Sequence, residues 1–163
     1  MVPTTKEMQR SELHKTIWRI ANDLRGSVDG WDFKTYVLGM MFYRFISENL
    51  TDYINEGEWR AGDTDFNYCN LSNADARDIF EEMVAEKGFF IFPSDLFVNV
   101  RARAAQDENL NETLEGVFRN IEGSAAGTPS ERDLKGLFAD LDVNSPRLGA
   151  TVAQRNQKLV HCP

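Results

Sequence analysis

The chain is 163 residues long, 42% hydrophobic and 27% charged, with a formal net charge of −8. This is about one domain's length and an ordinary globular composition. Taken whole, the acidity argues against a domain that grips nucleic acid unaided, which usually shows a basic face and a high pI. Residues 1–50 hold seven basic and six acidic side chains, residues 51–100 three and eleven, and residues 101–163 eight and nine, so the acidity is concentrated in the middle third.

Thr4-x-x-Glu7 is a capping-box pattern, and Leu13, Ile17, Ile20, Ala21 and Leu24 follow at helical spacing up to Gly26. A second helix is predicted from Asp29 or Asp32 to about Glu56, with Gly57 as its stop. It contains nine uncharged residues in a row, Thr35 to Tyr43, and its apolar positions cover well over half the circumference. Such a helix is expected to be central and buried. The run is closed by Lys34 and Arg44, far short of the roughly 20 apolar residues a membrane span needs. The polar opening "MVPTTKEMQRSELHK" lacks the apolar core of a signal peptide.

Residues 57–72 read as a loop with a short β-prone piece at Tyr68–Leu71, which can pair with "FFIF" at 89–92 as a small β-ribbon. Ser72 with Asp75 caps a helix carrying Ile79, Phe80, Met83 and Val84 that stops at Gly88. After Pro93, Ser94 is predicted to open a helix with Leu96, Phe97 and Val100. The next holds Leu110, Leu114, Val117, Phe118 and Ile121 and ends at Gly123. "GSAAGTPS" at 123–130 is the best candidate for an internal linker, followed by a short helix with Leu134, Leu137, Phe138 and Leu141. The last stretch, "GATVAQRNQKLVHCP", is helical in composition and stops on an unfinished apolar pattern, so the chain is expected to be a fragment of something longer. The fold class is therefore mainly α: an irregular helical bundle around one central buried helix.

Chemistry-bearing motifs are scarce. The sequence contains no GxG pair, P-loop, Gly-x-Ser-x-Gly elbow or HExxH. Cys69 and Cys162 suggest neither a disulfide framework nor a CxxC metal site, and they read as reduced thiols in a cytoplasmic protein. His14 and His161 have no partner at zinc spacing, and carboxylate pairs such as Asp78/Glu82 and Glu108/Glu112 read as solvated faces. No catalytic, cofactor-binding or metal-binding residue is identified.

The stretch "IANDLRGSVDGWDFKTYVLGMMFYRFISE" carries Leu24-Arg25-Gly26, Asp29 and Asp32, Phe33-Lys34, Val37-Leu38-Gly39 and Phe45-Ile46-Ser47-Glu48. It resembles the N-terminal domain of the modification (HsdM) subunit of type I restriction–modification methyltransferases. "KGFFIFPSDLF" at 87–97 and "LKGLFADLDVNSPRLG" at 134–149 extend the likeness over about residues 10–160. The resemblance implies an adenine-N6 DNA methyltransferase that uses S-adenosylmethionine. It would be assembled with a specificity subunit, a second modification subunit and, for cleavage, a restriction subunit on double-stranded DNA.

The family's Asn/Asp-Pro-Pro-aromatic motif, which engages a flipped adenine, has no counterpart here, since the prolines at 3, 93, 129, 146 and 163 are never adjacent. Residues 1–163 are thus expected to form a single helical N-terminal domain, without the C-terminal Rossmann-like methyltransferase domain and without its own cofactor or catalysis. Under this resemblance Arg25, Lys34, Arg101, Arg103 and Arg147 are candidates to meet DNA phosphates, with a solvated helix face as the competing reading for each. The alternative is a free-standing acidic interaction module or DNA mimic.

Overall fold

The computed structural model describes residues 31–139 and 152–160. The helix expected over Thr4–Gly26 lies outside them. Every regular element among the described residues is helical.

The longest is α1, Trp31–Arg60, 30 residues and about 45 Å long. Val37, Met40, Tyr43, Ile46, Leu50 and Ile54 recur every three or four positions and are all buried. Leu38, Met41, Phe42 and Phe45, on its flank, are only half-buried. The apolar excess read from the sequence thus divides into one fully buried face and a half-covered shoulder. Gly57 does not stop the helix, because a single glycine inside a helix costs only about 1 kcal/mol. The chain turns instead at Gly62, where φ is +107° and a side chain would strain the backbone.

The expected β-ribbon does not form. Asn67 Oδ1 accepts from Cys69 N at 3.1 Å, and the main chain bonds of Asn70 and Leu71 close a 3-10 turn over Tyr68–Asn70. Asx-type side chains compete with ladders for backbone donors in this way. The facing 89–92 segment is satisfied by side chains: Ser124 Oγ bridges both Phe90 N (2.9 Å) and Phe90 O (3.0 Å). Ile91 O accepts from the buried Tyr68 hydroxyl at 2.7 Å.

Ser72 caps α2 (Asn73–Ala76) by accepting from Asp75 N at 3.1 Å. A 3-10 turn over Arg77–Ile79 leads into α3 (Phe80–Lys87), which Gly88 ends at φ +86°. There Ser130 Oγ stands too close to where a Cβ would be, so the positive φ and the close approach both favour glycine. Ser94 does not open the next helix. A 3-10 turn over Pro93–Asp95 comes first, and α4 runs Phe97–Ala104 without a local side-chain cap. Its first amide, Phe97 N, is capped from α1 by Ser47 Oγ at 3.2 Å. α5 is Leu110–Ser124, passing through Gly123. The 123–130 stretch packs closely on 88–90: besides the Ser124 bridge, Thr128 Oγ1 donates to Gly88 O at 2.7 Å. α6 is Glu131–Ala139 and α7 is Val152–Val160.

The core is built of aromatic edges. Tyr43 meets Phe97 and Phe118 edge-on, with centroids at 5.4 and 5.5 Å, and Phe118 stacks on Phe138 at 4.6 Å. Phe80, Phe90 and Phe92 form a second cluster under α3. α7 is held through Asn156, 7% exposed, whose Oδ1 accepts from Asn111 N (3.0 Å) and whose Nδ2 donates to Glu108 O (2.7 Å).

The two faces of α1 separate two substitutions. Met40, 4% exposed, becomes an unpaired buried charge as Met40→Asp and should lose several kcal/mol, enough to remove cooperative thermal unfolding. Phe42→Asp, on the half-buried shoulder, should cost only about 1–2 kcal/mol and leave a folded protein with a lowered Tm.

Candidate nucleic-acid interface

α4 crosses α1 with Phe97, Val100 and Ala104 facing inward. Arg101 and Arg103 are left exposed. At 100° per residue the two arginines stand about 200° apart around the helix axis, and their surroundings differ accordingly. Arg101 lies on the rim of a small cavity, about 20 Å³, that Met40, Tyr43, Phe97 and Val160 also line. It makes no ion pair among the described residues. Arg103 Nη2 donates to Ser94 O at 2.7 Å and so braces the Pro93–Asp95 turn. Among the described residues Arg101 thus has no anionic partner, whereas Arg103 is partly committed to structure.

A third arginine belongs to this region and was not singled out from the sequence. Arg44, on α1, sits over the Phe97 ring with Cζ 5.7 Å from the centroid. Its Nε donates to Glu48 Oε1 at 2.8 Å. The visible signal was the Arg-x-x-x-Glu spacing, which reads as a neutralised surface pair and hides the ring beneath it. Of the remaining candidates, Lys34 falls on α1 with only its backbone placement described, and Arg25 and Arg147 lie outside the described residues.

One turn beyond Arg44 the surface changes sign. Glu48, Asp52 and Glu56 follow at i, i+4 spacing on α1. Partial burial, then the like charges of Glu48 and Glu56, raise the Asp52 carboxyl above its ordinary pKa. Tyr53, beside this strip, donates to Glu86 Oε2 of α3, a bond that pushes its phenol pKa up. Lys87 Nζ stands 4.0 Å from the Tyr53 ring centroid. No group of three or more His, Cys, Asp or Glu that could hold a metal occurs among the described residues.

The HsdM N-terminal domain family matches residues 13–161. The chain belongs to this family. It is 46% identical over 158 residues to the type I restriction enzyme MpnII methylase subunit of Mycoplasma pneumoniae, a match covering 93% of this chain and 29% of that protein. The crystal structure of a type I restriction-modification system methyltransferase subunit from Streptococcus thermophilus superposes with a TM-score of 0.65 at 26% identity. That match covers 92% of this chain and 32% of the solved one. The chain therefore spans about three-tenths of the length of the relatives it matches.

The described part of this HsdM N-terminal domain does not fit the cofactor of a methyltransferase. Its positive-φ glycines, Gly62, Gly88 and Gly127, follow or link helices, whereas a nucleotide-binding turn joins a strand to a helix N-terminus. No helix among them is long and apolar enough to cross a membrane.

Two outcomes test the electrostatics. Arg103→Ala should lower stability by about 1 kcal/mol, since it strips a carbonyl of its partner. Arg101→Ala should stay within about 0.5 kcal/mol. Urea unfolding of the two variants compares them directly. Asp52→Asn removes a group whose folded-state pKa is raised, so its ionisation opposes folding. The gain should be roughly 0.2–0.5 kcal/mol per like-charged neighbour near pH 7. It should vanish near pH 3, where the carboxyl is protonated in both states.

Proposed function

We propose that this domain serves the modification subunit of a type I restriction–modification system and helps to hold duplex DNA and assemble the complex. The subunit as a whole would be an S-adenosylmethionine-dependent adenine-N6 DNA methyltransferase. Its partners would be a specificity subunit, a second modification subunit and a restriction subunit, and its compartment the cytoplasm. Family membership supports the setting. The observation that carries the local reading is Arg101: an exposed cation on α4, without an ion pair among the described residues, bordering the cavity lined by Met40, Tyr43 and Phe97.

Phosphate contacts position a protein on DNA without reading its sequence. An acidic domain can supply them when other subunits hold the duplex and raise its local concentration. Arg101 is the leading contact. Arg103 offers its remaining N–H groups, and Arg25, Lys34 and Arg147 are further candidates.

The test is a scan of single alanine substitutions at these five positions in the full-length subunit within its assembled complex, with affinity for labelled duplex measured against salt. Each residue that meets a phosphate should lower the slope of log K against log salt by roughly 0.9 when removed, on cognate and non-cognate DNA alike. An unchanged slope at Arg101 together with failed subunit association would make this face an assembly surface instead.

A further inference from the structure

Four i, i+4 ion pairs decorate the described surface: Arg44–Glu48, Glu56–Arg60, Glu115–Arg119 and Glu131–Lys135. In three of them the acid precedes the base, the order that the helix field favours. Arg44–Glu48 is reversed, so it has the less favourable orientation. It is also the pair whose cation is least exposed, at 45% of its side chain against 62–82% for the others. The reason lies on another helix: the guanidinium rests over Phe97 of α4. Arg101 follows Phe97 by one turn and borders the same cavity as Met40, Tyr43 and Phe97.

We infer that Arg44 is a second phosphate-binding cation beside Arg101 and that Glu48 is its internal competitor, displaced when a DNA phosphate arrives. This rests on the reading of the Arg101 face as a phosphate contact. The contact with the Phe97 ring holds the guanidinium in place, and the side chain remains 45% exposed. A guanidinium has five N–H donors, and Glu48 takes the one on Nε. A phosphate approaching the same edge meets the Glu48 carboxylate as a like charge, so one anion must leave. The exposed pair is weak enough for this exchange, since such pairs contribute little. Arg–phosphate pairing, by contrast, can be bidentate. Without DNA, Glu48 keeps Arg44 from acting as a bare cation for unrelated anions.

The exchange predicts a non-additive pair of substitutions, measured by fluorescence anisotropy of a labelled duplex with the full-length subunit in its assembled complex. Arg44→Ala should lower the salt slope by roughly 0.9, and Arg44→Lys should keep it. Glu48→Gln should tighten binding about two- to fivefold, and this gain should disappear when Arg44 is already alanine. Equal tightening by Glu48→Gln in both backgrounds would reduce Glu48 to general repulsion of DNA and overturn the exchange. If Arg101→Ala lowers the slope and Arg44→Ala does not, the exchange is wrong while the phosphate reading stands. If neither lowers it, both fall. Arg44→Lys and Glu48→Gln should leave the melting temperature nearly unchanged, and the Glu48→Gln gain, read against the Arg44→Ala background, separates binding from any loss of the Phe97 contact.

Discussion

The short turn Pro93–Leu96 is the constraint on which the other elements depend. Proline lacks an amide proton, and the turn has no strand partner, so its carbonyls must be satisfied one by one. Pro93 O accepts from Asn99 Nδ2 at 2.7 Å, Ser94 O from Arg103, and Asp95 O from the Tyr43 hydroxyl. Asn73 binds Ser94 through both its side-chain oxygen and nitrogen, and Asn120 donates to the Asp95 carboxylate. Side chains from α1, α2, α4 and α5 thus converge on one turn. Tyr43 is the most consequential of them, because its ring is fully buried among aromatic edges while its hydroxyl reaches the turn. Burial, and then the Asp95 charge, push its pKa far up, so it remains a neutral donor over the whole working range of pH.

The same turn explains why the two arginines of α4 take different roles. α4 begins where the turn ends, and its phase around the axis is set by Phe97, which is pinned by Ser47 at its amide and by Tyr43 at its ring. With Phe97 inward, Arg103 falls over the turn and Arg101 falls outside it. Neither placement depends on charge. The acidic strip that starts at Glu48 follows the i, i+4 spacing of α1, and Glu58 falls in the last turn of that helix, where its dipole disfavours negative charge. Asp52 and Glu56 are exposed and Glu58 is half-buried, and Glu56 is compensated in part by Arg60 at 3.8 Å.

Much of this was legible in the sequence. Apolar spacing located α1, α3, α5 and α6, and the Ser72 cap and the Gly88 stop were read from local chemistry alone, because both act within one turn of chain. What could not be read were bonds between distant residues. The ribbon expected from "FFIF" fails because Ser124, Tyr68 and Asn67 satisfy the backbone groups that a ladder would use. Gly57 and Gly123 were expected as stops, yet both lie inside helices, because a single helical glycine costs only about 1 kcal/mol. For the candidate site, Arg101 was recognisable as a cation but not as one without an ion pair among the described residues, and Arg44 was hidden behind its own partner.

Two caps supplied from outside their helices show how the site is held. α4 has no N-cap of its own and borrows Ser47 from α1, and α5 receives Asn156 from α7 at its second amide. Helix N-termini leave several amides unsatisfied, so each borrowed cap ties a local need to a tertiary contact, and a helix cannot leave its seat without exposing a donor. α7 also brings Val160 to the cavity that Arg101 borders. The surroundings of Arg101 are in this way shared between α1, which positions Phe97 and Arg44, and α7, which closes the far side. A displacement of α7 would open the cavity wall and uncap α5 together. Docking of the last described helix thus contributes both to the cap of α5, through Asn156, and to the wall of the cavity that Arg101 borders, through Val160.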